Sequence, residues 1–62
     1  SKADIAGFLY KKGGLNKEDI GQIEVNPYYT LTAIKREKMK NMLNLVRGEK
    51  IKGINTIFEE AK

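Results

Sequence analysis

The order of its periodic segments constrains this chain more than any other feature. Ile5, Phe8 and Leu9 stand at i, i+3, i+4, the stripe of an amphipathic helix. Two β-rich runs follow, on either side of Asn26-Pro27. Met39, Met42, Leu43 and Val46 then restore a helical period, and Ile54 to Phe58 close the chain as an apolar run. Helix, strand, strand, helix, strand is a split βαβ unit with its first strand missing. In that unit the first strand lies at the centre of the sheet, between the third and the fourth. The gap therefore falls where pairing matters most, and the chain is expected to be a piece of a larger protein. Upstream residues, a swapped neighbour or a rearranged sheet would have to make good the loss.

Local signals sharpen the boundaries. Ser1 and Asp4 form a capping-box pattern ahead of the first helix. Lys11-Lys12-Gly13-Gly14 ends it, with cations at the negative pole and glycine at the cap. Gly7 inside this helix costs about 1 kcal/mol relative to Ala, and a close approach of the helix to the sheet is its expected compensation. Asn16 opens a single helical turn with Glu18 and Asp19 in it, and Gly21 is expected to close that turn. Gln22–Val25 reads as a strand, Asn26-Pro27 as a turn, and Tyr28–Ile34 as the next strand. Lys35 to Arg47 reads as the second helix, with Arg47 in its last turn and Gly48 as the stop. Ile54–Phe58 is the expected last strand and Glu59–Lys62 a polar tail. The predicted class is α+β of the RRM or ferredoxin-like kind, αββαβ with the first, central strand of βαββαβ missing. It forms one incomplete domain over residues 1–62.

Composition removes whole classes of chemistry. With no cysteine and no histidine, the chain lacks the usual thiol nucleophiles, imidazole bases and zinc ligands. Its eight carboxylates are scattered: Glu18-Asp19 belongs to a helix start and Glu59-Glu60 to a solvated tail. Gly13-Gly14 is a helix stop, since no G-x-x-x-x-G-K-[ST] phosphate loop surrounds it. No catalytic residue, metal ligand or cofactor site is therefore assigned, and the fragment is not expected to be an enzyme. No apolar run approaches a membrane span or a signal-peptide core, so the expected compartment is the cytoplasm.

What remains is binding. Twelve Lys and Arg against eight Asp and Glu leave a net charge of +4. That balance favours polyanionic partners, although it also serves plain solubility. The cations form three clusters: Lys11-Lys12, Lys35 to Lys40, and Arg47-Lys50-Lys52. The first and third fall at loop-like ends beside glycines, where flexible cations can follow a phosphate backbone. The middle one reads as the solvated side of a helix. Alternation places Tyr29, Leu31 and Ala33 on one face of their strand and Thr30, Thr32 and Ile34 on the other. If the helices cover the second face, Tyr29 stands on the open sheet, where bases stack on aromatics. If they cover the first, Tyr29 and Leu31 fill the core and the threonines face water. The candidate RNA-binding residues are Lys11, Lys12, Tyr29, Arg47, Lys50 and Lys52.

Ala3-Asp4-Ile5-Ala6-Gly7-Phe8-Leu9, Gly14-Leu15 and Glu18-Asp19-Ile20-Gly21-Gln22-Ile23 carry a resemblance. In order and spacing they are similar to the D-[IV]-[VA]-G-x-[IL]…G-[LV]-x-x-x-D-I-G-x-I pattern of the DbpA-type RNA-binding domain. Tyr29-Thr30-Leu31 and Ile51-Lys52-Gly53-Ile54 also fit that domain's third strand and its approach to the fourth. The domain stands at the C-terminus of bacterial DEAD-box RNA helicases. The resemblance implies an RRM-like accessory domain that anchors an ATP-dependent helicase core on structured RNA, in some members ribosomal RNA, with a role in ribosome biogenesis. It implies structured RNA and the parent chain's helicase core as partners, no membrane, and basic loops used more than sheet aromatics. The family's first strand and the basic loop that usually follows it have no counterpart here. Thr32 stands where the family would place a branched apolar residue. The rival reading is a protein-interaction or dimerisation module, as a homodimer or a strand swap, built on exposed strand edges.

Overall fold

The computed structural model describes residues 1–61. Helix α1 spans Lys2–Lys12 and is entered as its sequence dictates: Ser1 Oγ accepts from the Asp4 N–H at 3.3 Å and donates to Asp4 Oδ2 at 2.9 Å. Leu9 is buried and Ile5 and Phe8 are partly so, which is the predicted stripe. Gly13 caps the helix, and its N–H reaches the Leu9 carbonyl at 2.9 Å. Gly14 follows at φ +67°, where a Cβ would also stand 2.9 Å from Leu45 Cδ1. That turn delivers Leu15 into the core. Gly7 does not make the expected close approach, because a Cβ there would meet nothing within 4 Å.

A single 3₁₀ turn, Lys17–Asp19, leads into strand β1, Ile20–Val25. Gly21 therefore does not close the turn. It lies inside the strand, in a bulge between the pairs Ile20–Ile34 and Ile23–Thr32. Strand β2, Thr30–Ile34, pairs antiparallel with β1. Four residues, Asn26 to Tyr29, make the connection, and the Asn26 N–H donates to the Tyr29 carbonyl at 2.8 Å. Tyr28 and Tyr29 thus belong to the loop rather than to the strand. Thr30, Thr32 and Ile34 are half-buried on the helix side while Leu31 and Ala33 face outward. Ile34 and Ile20 pack against the core.

Helix α2, Arg36–Val46, buries Met42 and Val46 and partly buries Met39 and Leu43. This is the predicted i, i+3, i+4, i+7 stripe. Arg47 lies one residue past the helix, as its C-cap, and Gly48 turns the chain at φ +78°. The buried core, Leu9, Leu15, Met42 and Val46, sits where the two helices meet.

The end of the chain departs from expectation. Only Ile54–Asn55 of the predicted Ile54–Phe58 strand is extended and paired. It forms strand β4, which folds back on strand β3, Lys50–Ile51. The two turn residues, Lys52 and Gly53, both have positive φ, +51° and +77°, the signature of a hairpin turn whose twist matches its strands. The molecule thus holds two separate two-stranded sheets, β1–β2 and β3–β4. The reason is the central gap. Among the described residues no strand lies beside β2 for the last run to join, so that run satisfies its backbone locally. Phe58 anchors it instead, stacking on Phe8 with ring centroids 5.4 Å apart and planes 7° apart. The polar tail carries no strand or helix as far as Ala61, and Lys62 lies outside the described residues. The architecture is a small α+β arrangement of the RRM-like class.

Candidate nucleic-acid interface

Two of the six predicted binding residues, Lys12 and Lys52, meet the contact seam between α1 and the β3–β4 hairpin through ion pairs, and Lys11, Arg47 and Lys50 stand near them in the chain. The β3–β4 hairpin lies against α1, and two ion pairs mark the ends of the contact. Lys12 Nζ stands 3.9 Å from Glu49 Oε1 at the helix C-terminus, and Lys52 Nζ stands 3.3 Å from Asp4 Oδ2 near its start. An 11-residue helix is about 16 Å long at 1.5 Å per residue. The seam therefore spreads its cations over a distance on which several successive phosphates of a backbone can be met. Lys11 and Lys12 occupy the last turn of α1 and Arg47 the cap of α2. Lys50 lies on β3 and Lys52 in the hairpin turn, so these two are held by a paired ribbon rather than by loose loops.

Their charges are not equally free. Among the described residues Lys11, Arg47 and Lys50 enter no ion pair. The Arg47 guanidinium donates to Asn44 Oδ1 at 3.3 Å. The Lys12 and Lys52 pairs are solvent-exposed, and exposed pairs of this kind contribute little. A phosphate can replace either carboxylate. Asp4 is held below the usual carboxylate range first by the Ser1 hydroxyl and then by Lys52, so it stays ionised at neutral pH.

The middle cluster has structural work. Asp19 is the one buried charged residue among those described. Its Oδ2 accepts the Asn16 N–H at 2.8 Å and pairs with Lys38 Nζ at 3.2 Å, while the Lys35 N–H donates to its carbonyl at 2.8 Å. The Asn16 N–H is the first cause of its lowered pKa; burial opposes the shift and Lys38 adds to it. Asp19 thereby ties the 3₁₀ turn to the start of α2.

Tyr29 lies in the loop ahead of β2. Together with Tyr28 and Leu31 it lines an open cleft between β2 and the C-terminal segment, and the charged side chains on that lining are Glu24, Glu59 and Glu60. Tyr29 is exposed, but it lies in the loop ahead of β2, so strand alternation does not give it a sheet face, and no cation of the predicted set lines that cleft. Tyr10 was not among the predicted residues. It is half-exposed beside Lys11 and, with Leu15, Asn16 and Lys17, borders a hollow of about 350 Å³ at the cationic end of α1. The signal was present in the sequence: Tyr10 falls outside the Ile5, Phe8, Leu9 stripe, so a helix there must present it to solvent.

Among the described residues no helix is long and apolar enough to cross a membrane, and no three His, Cys, Asp or Glu gather as a metal site. The family model of the DbpA RNA binding domain matches residues 1–60. No curated protein and no solved structure matches the chain.

Proposed function

The chain belongs to the DbpA RNA-binding domain family, and from that premise we propose that it anchors a DEAD-box RNA helicase on structured RNA, ribosomal RNA above all. On this reading the chain comes from the C-terminal end of a cytoplasmic, ATP-dependent helicase that acts in ribosome biogenesis. An RNA-binding domain is not itself catalytic, so the ATPase chemistry belongs to the rest of that parent. The observation that supports the reading best is the contact of α1 with the β3–β4 hairpin, marked by the Lys12–Glu49 and Lys52–Asp4 pairs, with the exposed Lys11, Arg47 and Lys50 beside these residues in the chain. Cations spaced along a ridge contact phosphates without reading bases. Selectivity for structured RNA then rests on the shape that the ridge fits. Tyr29, exposed in the loop ahead of β2, contributes a separate stacking surface.

The test is fluorescence anisotropy of the 62-residue chain with a labelled RNA hairpin, beside a scrambled single strand, at low and moderate salt. Tighter, salt-sensitive binding to the hairpin is the expected result. The variant Arg47→Gln, Lys50→Gln, Lys52→Asn should weaken it and flatten the salt dependence by roughly three phosphate contacts or fewer. Asn is chosen at residue 52 because it tolerates positive φ better than Gln. An unchanged affinity in that triple variant removes the site assignment.

The free edge of β2 favours a second reading, in which the chain dimerises or swaps a strand through exposed edges. A mass that rises with concentration in light scattering, with no response to RNA, is the result that would select it.

A further inference from the structure

All three tyrosines of the chain are exposed, but they stand in opposite electrostatic surroundings. Tyr28 and Tyr29 line the cleft whose charged side chains are Glu24, Glu59 and Glu60. Tyr10 borders the hollow of about 350 Å³ with Leu15, Asn16 and Lys17, so its one charged wall is a cation. Lys11 follows Tyr10 in the last turn of α1, and among the described residues neither Lys11 nor Lys17 enters an ion pair. Leu15 is buried, which gives the hollow an apolar floor beside the half-exposed ring. A closed cavity of about 150 Å³ already holds a benzene ring, so this hollow has room for a nucleobase. Its walls are fixed from both sides. The Gly13 and Leu15 N–H groups donate to the Leu9 carbonyl at 2.9 and 3.5 Å, which pins the chain as it leaves α1. The Asn16 N–H donates to Asp19 Oδ2 at 2.8 Å, and the Asp19–Lys38 pair ties that 3₁₀ turn to α2.

We propose that the hollow beside Tyr10 receives one unpaired base of a bound RNA, stacked on the Tyr10 ring, while Lys11 and Lys17 meet the phosphates that flank it. The inference rests on the RNA-binding reading and adds what phosphate contacts lack, because cations alone set position without reading bases. An aromatic face above an apolar floor suits a flat ring, and stacking of this kind tolerates any base. The Asn16 amide on the same lining has donors and an acceptor for the polar edge of that ring. A paired stem cannot use the site, since its bases are stacked on one another. A bulged base, already splayed from the helix, enters at little cost. Charge decides against an apolar side chain of a protein partner, which would fill the floor and leave both lysines without an anion.

The test uses a labelled RNA stem closed by a polyethylene glycol linker, so that a single bulged adenosine is its one unpaired base. The control carries an abasic residue at the bulge, which keeps the phosphate and removes the ring. By fluorescence anisotropy the chain should bind the bulged stem about fivefold or more tightly than the abasic one, the scale of one stacked base. Tyr10→Leu should bring that ratio to one and leave affinity for the abasic stem unchanged, whereas Tyr10→Phe should keep the ratio. Lys17→Gln should weaken both stems alike and flatten the salt dependence by about one phosphate contact. Tyr29→Leu should leave the ratio as it is. Amide spectra of each free variant establish that these exposed substitutions preserve the fold, and the Tyr10 ring protons should shift upfield on binding the bulged stem only. Equal affinity of the unaltered chain for the two stems, or a ratio that survives Tyr10→Leu, overturns the proposal while RNA binding itself stands. Absence of binding to either stem, and to the RNA hairpin of the earlier test, removes the RNA reading and the base site with it.

Discussion

Two glycines of α1 and its cap make opposite predictions although both look like helix breakers in the sequence. Gly14 is held at φ +67°, and a Cβ there would also press on the Leu45 side chain. Gly14→Ala should therefore destabilise the fold by about 1–2 kcal/mol, the cost of the left-handed region for an L-residue. Gly7 has helical backbone and open space around it. Gly7→Ala should stabilise by up to about 1 kcal/mol through helix propensity and a less flexible unfolded chain. Urea midpoints measured side by side decide both, and an equal loss in the two variants would mean that Gly7 has a packing role. Asp19 gives a pH prediction. Its folded pKa lies below the ordinary value, so its stabilisation is fully present above the unfolded pKa of about 4 and is lost as pH falls through the folded pKa. The acid side of the stability curve should flatten in Asp19→Asn, which keeps an acceptor for the Asn16 N–H but loses the charge that meets Lys38. A curve below pH 4 with unaltered slope would contradict this.

At the scale of the elements, what was legible followed from how much periodicity each one carries. The capping box at Ser1 and the stripe Met39, Met42, Leu43, Val46 are multi-residue signals, and the structure has them as read. The β3–β4 hairpin was not legible. Two-residue strands contain no alternation, and Lys52 is an unusual residue for a position at positive φ. Tyr28 and Tyr29 misled in the other direction, because aromatic residues favour strands while the Pro27 connection needs four residues. The site divides in the same way. Cations could be listed from the sequence, but only the folding of the hairpin against α1 shows that Lys12 and Lys52 pair across that contact, with Glu49 and Asp4. Phe58 shows tertiary context overriding local preference: the run Ile54–Phe58 is strand-like in composition, yet its last residue is used as a ring against Phe8. A double-mutant cycle of Phe8→Leu and Phe58→Leu should give a coupling of about 0.5–1.5 kcal/mol, the worth of an aromatic pair beyond its buried area. Coupling near zero would show that the C-terminal segment is not held by the stack.

For the molecule as a whole, the position of the core governs behaviour. Four buried side chains lie where α1, the Gly14-Leu15 turn and α2 meet, while the β1–β2 sheet reaches them through half-buried isoleucines. At about 0.05–0.15 kcal/mol per residue, a chain of 62 residues has roughly 3–9 kcal/mol of stability in total. Phe8, Met39 and Leu43, which line the cleft beside β2, are only partly buried and add less to that total than the core does. Val46 is the most buried side chain, with no exposed surface. Val46→Ala removes two methyl groups there, which at about 0.8 kcal/mol each plus the cavity they leave costs about 2 kcal/mol. That is a large share of the total, so this single truncation should displace the urea transition far enough to leave a measurable unfolded fraction at 37 °C. The same truncation leaves every residue of the cationic seam in place. RNA affinity, corrected for the folded fraction, should therefore be unchanged. If the corrected affinity falls as well, the helix interface positions the β3–β4 ribbon, and core and seam are energetically one unit rather than two.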